Sequence, residues 1–217
     1  MDTQQIDTQR AYDSLRARIT TLDLAPGAAL HEQHLAADLD LPLAAVREAL
    51  KLLAHDHLVV ITPRHGPYVA DVNLPDLEQL SELRLSLESL SARLAAQRAT
   101  ADDLAVLDAL RQEQLATDPA DAQALFAVDH KFHQAIARAA NNRYLAQTLD
   151  HFFGLSQRLW YLVLPHLSFL PSAVEKHIDL VAAIRAGDAD RAEEIMRHHV
   201  ADFYDRVRQV LAVQEGR

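Results

Sequence analysis

The sequence predicts a mainly α-helical protein in two parts. Residues 1–72 are expected to form three helices and a small β-hairpin, and residues 73–217 an all-α bundle of six helices. In the second part, apolar residues recur three and four positions apart, which is the period of a helix with one buried face. In the first part, two short β-branched runs flank a turn that contains Gly and Pro, which is typical of a hairpin. The break at Asn73-Leu74-Pro75 separates the parts, since proline suits the first position of a helix.

The first part divides into helices and strands at its Gly, Pro and Asp residues. The predicted helices and strands cover about residues 10–22, 32–38, 43–55, 58–61 and 68–72. A tight turn at Leu39-Asp40-Leu41-Pro42 joins the second and third helices. Helix, helix, turn, helix and hairpin is the order of a winged helix-turn-helix, in which the hairpin is the wing.

The second part contains six segments with helical periodicity. They cover about residues 76–99, 100–116, 119–140, 142–162, 172–186 and 188–213. Two of them open with a capping box, Thr100 with Asp103 and Ser172 with Glu175. On the first, a leucine stripe is expected to be buried; it comprises Leu77, Leu80, Leu83, Leu87, Leu90 and Leu94.

Composition excludes several classes of protein. The chain has 49% hydrophobic and 24% charged residues, which is a globular balance rather than a disordered one. It has no Cys, so disulfides, thiolate metal sites and cysteine nucleophiles are excluded. No apolar run approaches 18 residues, and the polar start of the chain has no signal-peptide core. A cytoplasmic protein without a membrane segment is therefore expected.

The charge balance restricts any nucleic-acid interface. Lys and Arg number 21 and Asp and Glu number 31, for a formal net charge of -10. Residues 1–73 are themselves acidic, with 6 basic and 10 acidic residues. A DNA-binding surface on this chain must therefore be local rather than a broadly basic face.

A group of short sequence motifs in the first part indicates DNA binding. They are Pro26-Gly27, Leu35-Ala36, Val46-Arg47-Glu48-Ala49-Leu50, Leu58-Val59 and Pro63-Arg64-His65-Gly66. Over about 60 residues they resemble the winged helix-turn-helix of the GntR family of bacterial transcriptional regulators. The resemblance implies that the third helix reads double-stranded operator DNA and that the wing contacts its backbone. The expected contacts are Arg47 and Lys51, one helical turn apart, and Arg64, His65 and Gly66 at the wing tip.

The start of the third helix departs from that family. Ser/Thr-Arg-Thr-Pro is usual there, whereas this chain has Pro42-Leu43-Ala44-Ala45. The phosphate-binding hydroxyls and an arginine that reads guanine are absent, and a bidentate Arg–guanine contact is worth about 1–3 kcal/mol of discrimination. Operator recognition is therefore expected either to use a different base sequence or to be lost.

Four residues in the second part have the types and spacing of a metal site. Asp129 and His133 are four apart and share a helix face, while His177 and His199 lie on the last two helices. One carboxylate with three imidazoles suits a divalent transition metal such as Zn, Ni, Mn or Fe. By spacing alone this signal is weak, because an Asp–His pair four apart is more often a helix surface pair and two distant histidines are more often ordinary, partly buried residues.

The sequence motifs around these four residues resemble a second known domain. They are Asp129-His130-Lys131-Phe132-His133, Ala139-Ala140-Asn141-Asn142, Glu175-Lys176-His177 and Ala183-Ile184-Arg185-Ala186-Gly187-Asp188. They resemble the FCD effector domain of the FadR-type GntR subfamily, over about residues 76–212. The resemblance implies that Asp129, His133, His177 and His199 bind the metal and that a small carboxylate metabolite completes its shell. It also implies that Arg84 binds this effector; the alternative is a helical ion pair between Arg84 and Glu88.

These observations favour a homodimeric, ligand-responsive transcriptional regulator, expected to be a repressor, rather than an enzyme. A metal-dependent enzyme is the least favoured alternative, because there is no HExxH motif and no Glu suited to act as general base. The other alternative is a metal- or metabolite-binding protein whose degenerate winged helix binds another protein.

Overall fold

The computed structural model describes the backbone of residues 3–163 and 170–215, and their side chains except at positions 74, 162–163, 170–175 and 210–215. This part of the chain contains nine helices and a single two-stranded sheet. The helices are α1 Thr3–Thr20, α2 Glu32–Leu39, α3 Leu43–His55, α4 Leu74–Arg98, α5 Ala101–Ala116, α6 Ala122–Ala139, α7 Arg143–Val163, α8 Leu170–Ala186 and α9 Ala189–Glu215. The strands are β1 Val59–Thr62 and β2 Gly66–Val69. The predicted mainly α fold, with a hairpin followed by six helices, is confirmed.

The chain forms two compact units. The first unit comprises Met1–Asp76 with Gly154–Leu162, and the second comprises Leu77–Phe153 with Val163–Arg217. The core of the first unit gathers apolar residues of α1, α2, α3 and the hairpin: Ala11, Leu15, Ile19, Leu30, Leu35, Val46, Ala49, Leu50, Leu53, Leu58, Val59 and Val69. The short segment of α7 belongs to this unit because its Leu155 packs on the same core.

The wing is held by local backbone geometry. Strands β1 and β2 pair antiparallel, from Val59 opposite Val69 to Thr62 opposite Gly66. Gly66 has φ +71°, a left-handed conformation that favours glycine, and a Cβ there would have no heavy atom within 4 Å. Backbone conformation, rather than crowding, therefore accounts for the glycine that ends the wing loop.

The helix ends of the second unit only partly follow the predictions. The Thr100–Asp103 capping box is present at the start of α5. Helix α6 starts three residues later than predicted, since Asp121 caps it by accepting from the Ala124 N–H at 2.9 Å. Helix α8 begins at Leu170, and the predicted Ser172–Glu175 box lies outside the side chains that the structure describes.

The predicted leucine stripe of α4 is wrong in part. Leu77 is buried, whereas Leu83 and Leu90 are 45% and 41% exposed. The inward face instead continues through Arg84 and Glu88, which are 3% and 2% exposed. These two charged residues compensate each other inside the unit, so α4 buries a polar face that hydrophobic periodicity does not predict.

Across residues 3–163 and 170–215, every helix is too short or too polar to span a lipid bilayer.

Candidate functional site

The four residues predicted as metal ligands lie together in the second unit. Helix α6 carries Asp129 and His133 one turn apart, α8 carries His177 and α9 carries His199. The three histidines are buried, and the Asp129 side chain is 13% exposed. One donor atom from each residue lies within 4.8 Å of the others. Three helices thus bring to one point residues that are up to 70 positions apart in the chain.

The separations of these donor atoms suit a single ion. The His199 Nε2 atom lies 3.1 Å from His133 Nε2 and 3.3 Å from His177 Nε2. Asp129 Oδ1 lies 3.4, 3.7 and 4.0 Å from Nε2 of His177, His133 and His199. Two ligands bound at about 2.0–2.1 Å to one tetrahedral ion are about 3.3 Å apart. The donor set and its spacing therefore fit a divalent transition metal.

Two of the imidazoles are held from behind by buried oxygens. His133 Nδ1 is in close contact with Glu88 Oε2, from α4. His177 Nδ1 lies 3.1 Å from Gln114 Oε1, from α5. With Nδ1–H donating to these acceptors, each Nε2 keeps its lone pair for the centre of the cluster.

Arg84 completes a buried charged network beside the cluster. Its Nε donates to Glu88 Oε1 at 2.6 Å and its Nη1 donates to the Tyr204 hydroxyl at 3.1 Å. Its Cζ lies 4.2 Å from the centre of the Phe153 ring, in a cation–π contact. The helical ion pair with Glu88, the alternative considered from the sequence, is thus formed. Arg84 also lies near enough to Asp129 to affect its pKa.

Burial and neighbouring charges set the protonation of the cluster. Burial lowers the pKa of His177 well below its ordinary value, and His199 and His133 add to this. Burial, with His133 next, lowers the pKa of His199 to about 3. Both imidazoles are therefore neutral near pH 7, which is the form that binds a metal.

At Glu88, Asp129 and His133, burial and neighbouring charges shift the pKa in opposite directions. Burial alone would raise the pKa of Glu88, but Arg84 and His133 outweigh it and lower that pKa to about 2. Burial raises the pKa of Asp129, against the effect of His133 and Arg84. Burial would lower the pKa of His133, but Glu88 and Asp129 raise it above its ordinary value.

A cavity of about 300 Å³ adjoins the cluster. Its walls come from α4, α6 and α7 and comprise Glu88, His133, Gln134, Ala137, Arg138, Ala146, Gln147, Leu149, Asp150 and Phe153. Glu88 and His133 belong both to this wall and to the network around the cluster. A small molecule in the cavity would therefore contact the immediate surroundings of the donor atoms.

The residues predicted to contact DNA lie on the exposed surface of the first unit, and two of them have acidic partners. Arg47 Nε donates to Glu32 Oε2, and Lys51 Nζ donates to Glu48 Oε1, each at 2.7 Å. The side chains of Arg47 and Lys51 are 53% and 64% exposed. Sequence reasoning placed both cations on the outer face of α3 but missed the acids that neutralise them.

The wing tip and the start of α3 have fewer partners. Arg64 and His65 lie exposed between β1 and β2, and within residues 3–163 and 170–215 Arg64 has no ion-pair partner. Helix α3 begins after Pro42 with no side-chain cap. Its first backbone N–H groups therefore remain available to an anion such as a phosphate.

The contacts of the residues that surround the cluster were harder to predict from the sequence. Glu88 was signalled by its position one turn after Arg84, but not as a partner of His133. Gln114 had no sequence signal, because its contact with His177 joins residues 63 positions apart. His130 stacks on Phe153 at 4.2 Å, and His198 is exposed, so both lie where their rotation from the ligand face predicts.

Comparison with known proteins gives one assignment for each part of the chain. The model of the bacterial regulatory proteins of the gntR family matches residues 7–69, and the FCD domain model matches residues 79–202. The HTH-type transcriptional repressor RspR of Escherichia coli is 28% identical over 93% of this chain and 89% of its own length. An uncharacterized HTH-type transcriptional regulator in an unstable DNA locus of Streptomyces ambofaciens is 32% identical, over 93% and 85%. The structure of E. coli McbR/YncC is similar with a TM-score of 0.84 and 23% identity, over 96% of this chain and 99% of that one.

Proposed function

The chain belongs to the gntR family of bacterial regulatory proteins and carries an FCD domain, and from this premise we propose that it is a metal-dependent, effector-controlled repressor. As a member of this family it is a DNA-binding transcriptional regulator, and its relatives are regulators rather than enzymes. Our proposal adds the metal, a small carboxylate effector, the homodimer, the cytoplasmic location and the sign of regulation. It also assigns DNA binding to residues 1–72, and effector binding and dimerisation to residues 73–217. The relative RspR of Escherichia coli is a transcriptional repressor, which supports the sign.

The observation that carries the proposal is the convergence of Asp129 Oδ1 with three Nε2 atoms within 4.8 Å. We assign Asp129, His133, His177 and His199 as the ligands of Zn, Ni, Mn or Fe(II). A bound divalent metal would supply a Lewis-acidic centre to which an effector oxygen binds. The protein holds neutral imidazoles ready for it, since burial keeps His177 and His199 unprotonated.

The effector in this proposal is a small carboxylate beside the metal. Four protein ligands leave one or two positions in a five- or six-coordinate shell, and the adjoining cavity of about 300 Å³ has room for a small metabolite. Arg84 is the cation assigned to its carboxylate. Arg84 does not line the cavity and already donates to Glu88 and Tyr204, so the effector has to share this guanidinium with Glu88, which does line it.

DNA binding is assigned to the exposed face of α3 and to the wing. Arg47 and Lys51 would reach the major groove, while Arg64, His65 and Gly66 would lie against the backbone or minor groove. A phosphate that approaches Arg47 or Lys51 replaces an exposed carboxylate partner, so these pairs weaken binding without preventing it. Two copies related by two-fold symmetry would read two half-sites.

The metal assignment is tested by metal analysis of the purified protein and of single variants. His133→Ala and His177→Ala are expected to lose bound metal, because each removes one of four donors. His198→Ala is the matched control, since it changes an exposed histidine of α9 beside His199, and it is expected to keep full occupancy. Full occupancy in His177→Ala would contradict the ligand assignment.

Operator binding is tested with the DNA upstream of the protein's own gene against a scrambled duplex, over a series of salt concentrations. Discrimination at physiological salt, lost in Arg47→Ala with unchanged metal content, is the expected result. A fluorescence anisotropy titration with and without metal and candidate carboxylates then measures the response to effector.

A second candidate function is supported by the altered start of α3. The start of α3 is Pro42-Leu43-Ala44-Ala45, and Arg47 and Lys51 have acidic partners; both features are expected to reduce DNA affinity. A winged helix of this kind could bind another protein instead. Weak binding that is equal for both duplexes and strongly salt-sensitive would favour this candidate.

A further inference from the structure

Glu88 occupies an unusual position for a carboxylate. It lies on α4, is 2% exposed, and contacts two groups of opposite character, the Arg84 guanidinium and the His133 imidazole. An ionised carboxylate in the interior is costly unless it is paired and hydrogen-bonded. Arg84 provides that pairing through Oε1, which leaves Oε2 for His133 Nδ1.

Gln114 provides the corresponding contact for a second ligand. It lies on α5, is 7% exposed, and places its Oε1 atom 3.1 Å from His177 Nδ1. An amide oxygen can only accept a hydrogen bond, so the imidazole nitrogen facing it carries the proton. The other nitrogen, Nε2, then faces Asp129 Oδ1 and His199 Nε2 with its lone pair.

We propose that Glu88 and Gln114 are positioning residues of the metal centre, and that each fixes one imidazole so that Nε2 faces the ion. Arg84 belongs to the same arrangement, since it holds the Glu88 carboxylate in place. This inference rests on the proposed metal site and extends it from the four ligands to the side chains behind them. Such partners set the tautomer and ring orientation of a ligand before the metal arrives.

The two positioning residues differ in charge, and this difference makes them separable. Glu88 is an ionised acceptor, so it also strengthens the basicity of His133, whereas Gln114 is a neutral acceptor that only orients His177. Among the residues that the structure describes, His199 Nδ1 has neither a hydrogen-bond partner nor a carboxylate in contact, whereas His133 Nδ1 has Glu88 Oε2 in contact. The centre therefore has two imidazoles that are held in advance and a third that is fixed by packing.

The test measures Co(II) affinity of the full-length protein by competition with a chromophoric chelator. Gln114→Leu removes the acceptor and nearly keeps the side-chain volume, and a Co(II) affinity weaker by about 10- to 100-fold is expected. Gln114→Glu restores an acceptor and is expected to recover affinity to within about fivefold of the unsubstituted protein. Glu88→Gln keeps an acceptor but loses the charge, so a smaller loss, of about tenfold, is expected.

The matched control is Gln112→Leu, on α5. Gln112 is exposed two residues before Gln114, so it makes the same change on the same helix without removing a partner of a ligand imidazole. Its Co(II) affinity is expected to stay within about twofold of the unsubstituted protein. The visible absorption of bound Co(II) reports ligand geometry and is expected to change in Gln114→Leu but not in the control.

The outcomes separate this inference from the proposed function. Unsubstituted protein that binds no Co(II) overturns the metal site, and the positioning role with it. Unsubstituted protein that binds Co(II), with unchanged affinity and absorption in both Gln114→Leu and Glu88→Gln, overturns the positioning role alone. Circular dichroism checks that each variant is folded; if Glu88→Gln unfolds, the pair Gln114→Leu and Gln114→Glu decides the question.

Discussion

Ion pairs of almost equal length serve opposite purposes in the two parts of the molecule. On α3, Arg47 and Lys51 each meet an acid at 2.7 Å, with the side chains mostly in water. On α4, Arg84 Nε meets Glu88 at 2.6 Å, with both side chains almost fully buried. Exposed pairs contribute about 0–1 kcal/mol and exchange partners easily, whereas breaking a buried pair leaves an uncompensated charge. Exposure to solvent, rather than distance, therefore distinguishes the proposed DNA-binding surface, whose ion pairs can exchange partners, from a buried site that keeps its geometry.

The largest expected effect comes from breaking the buried pair. Arg84→Met should lower the free energy of unfolding by about 3–5 kcal/mol, because Glu88 stays buried without its cation. Lys51→Met, which breaks the exposed pair with Glu48, should lower it by no more than about 1 kcal/mol. Urea unfolding followed by circular dichroism measures both. Equal losses in the two variants would refute the contrast between the buried and exposed pairs.

A pH series should sharpen the same contrast. The folded pKa values of His177 and His199 lie below their ordinary value, so the unfolded chain binds protons more readily at these positions. Their contribution to stability is therefore present above about pH 6.5 and is lost as the pH falls. His133 and Asp129, whose pKa values are raised, act in the opposite direction. Because the pKa of His199 falls to about 3 and that of His177 well below its ordinary value, we expect these two histidines to dominate, and the metal-free protein to unfold at lower urea concentration at pH 5.5 than at pH 7.5.

The variant His177→Gln provides the control for this series, because it removes one of the two titrating groups with lowered pKa. Its urea midpoint should depend less on pH than that of the unsubstituted protein, with a chelator present in both samples. A midpoint that rises on acidification in the unsubstituted protein would be inconsistent with neutral buried imidazoles at this site.

The smallest expected effect concerns the exposed pairs of α3. Glu32→Gln removes the partner of Arg47 and one negative charge near the DNA, so operator affinity should rise by about two- to fivefold. Asp38→Asn makes the same change in charge on the same helix, at a residue for which the structure gives no ion pair, and should have a smaller effect. Anisotropy titrations at two salt concentrations test both. An unchanged affinity in Glu32→Gln would mean that Arg47 lies outside the DNA interface.

Sequence patterns predicted the helices and the clustering of Asp129, His133, His177 and His199 far better than the surroundings of this cluster. Asp129 and His133 are four apart on one helix, so their proximity follows from helical geometry. The contact of Gln114 with His177 depends on how two distant helices pack, which no local spacing encodes. The burial of Arg84 and Glu88 was missed for a related reason: hydrophobic periodicity assigns the inward face to leucines, and here a self-compensating charged pair takes that place.

The start of α6 shows a limit of a different kind. Asp118-Pro119 has the composition of a helix start, but the Asp121 carboxylate accepts from the Ala124 N–H and caps the helix three residues later. In the sequence, Asp118 and Asp121 are equally suitable as N-cap residues. Only the backbone conformation between them decides which one forms the cap.

Glu88 and His133 line the cavity and also belong to the network around the donor cluster, and this has a thermodynamic consequence. A molecule in the cavity would contact Glu88 and His133, and an ion at the cluster would be bound by His133, whose Nδ1 is in contact with Glu88. If occupancy of one site alters the free energy of the other, the influence is mutual, and each binding constant changes by the same factor. If the proposed metal and effector both bind, such coupling would make the effector concentration at which the regulator responds depend on the supply of its metal.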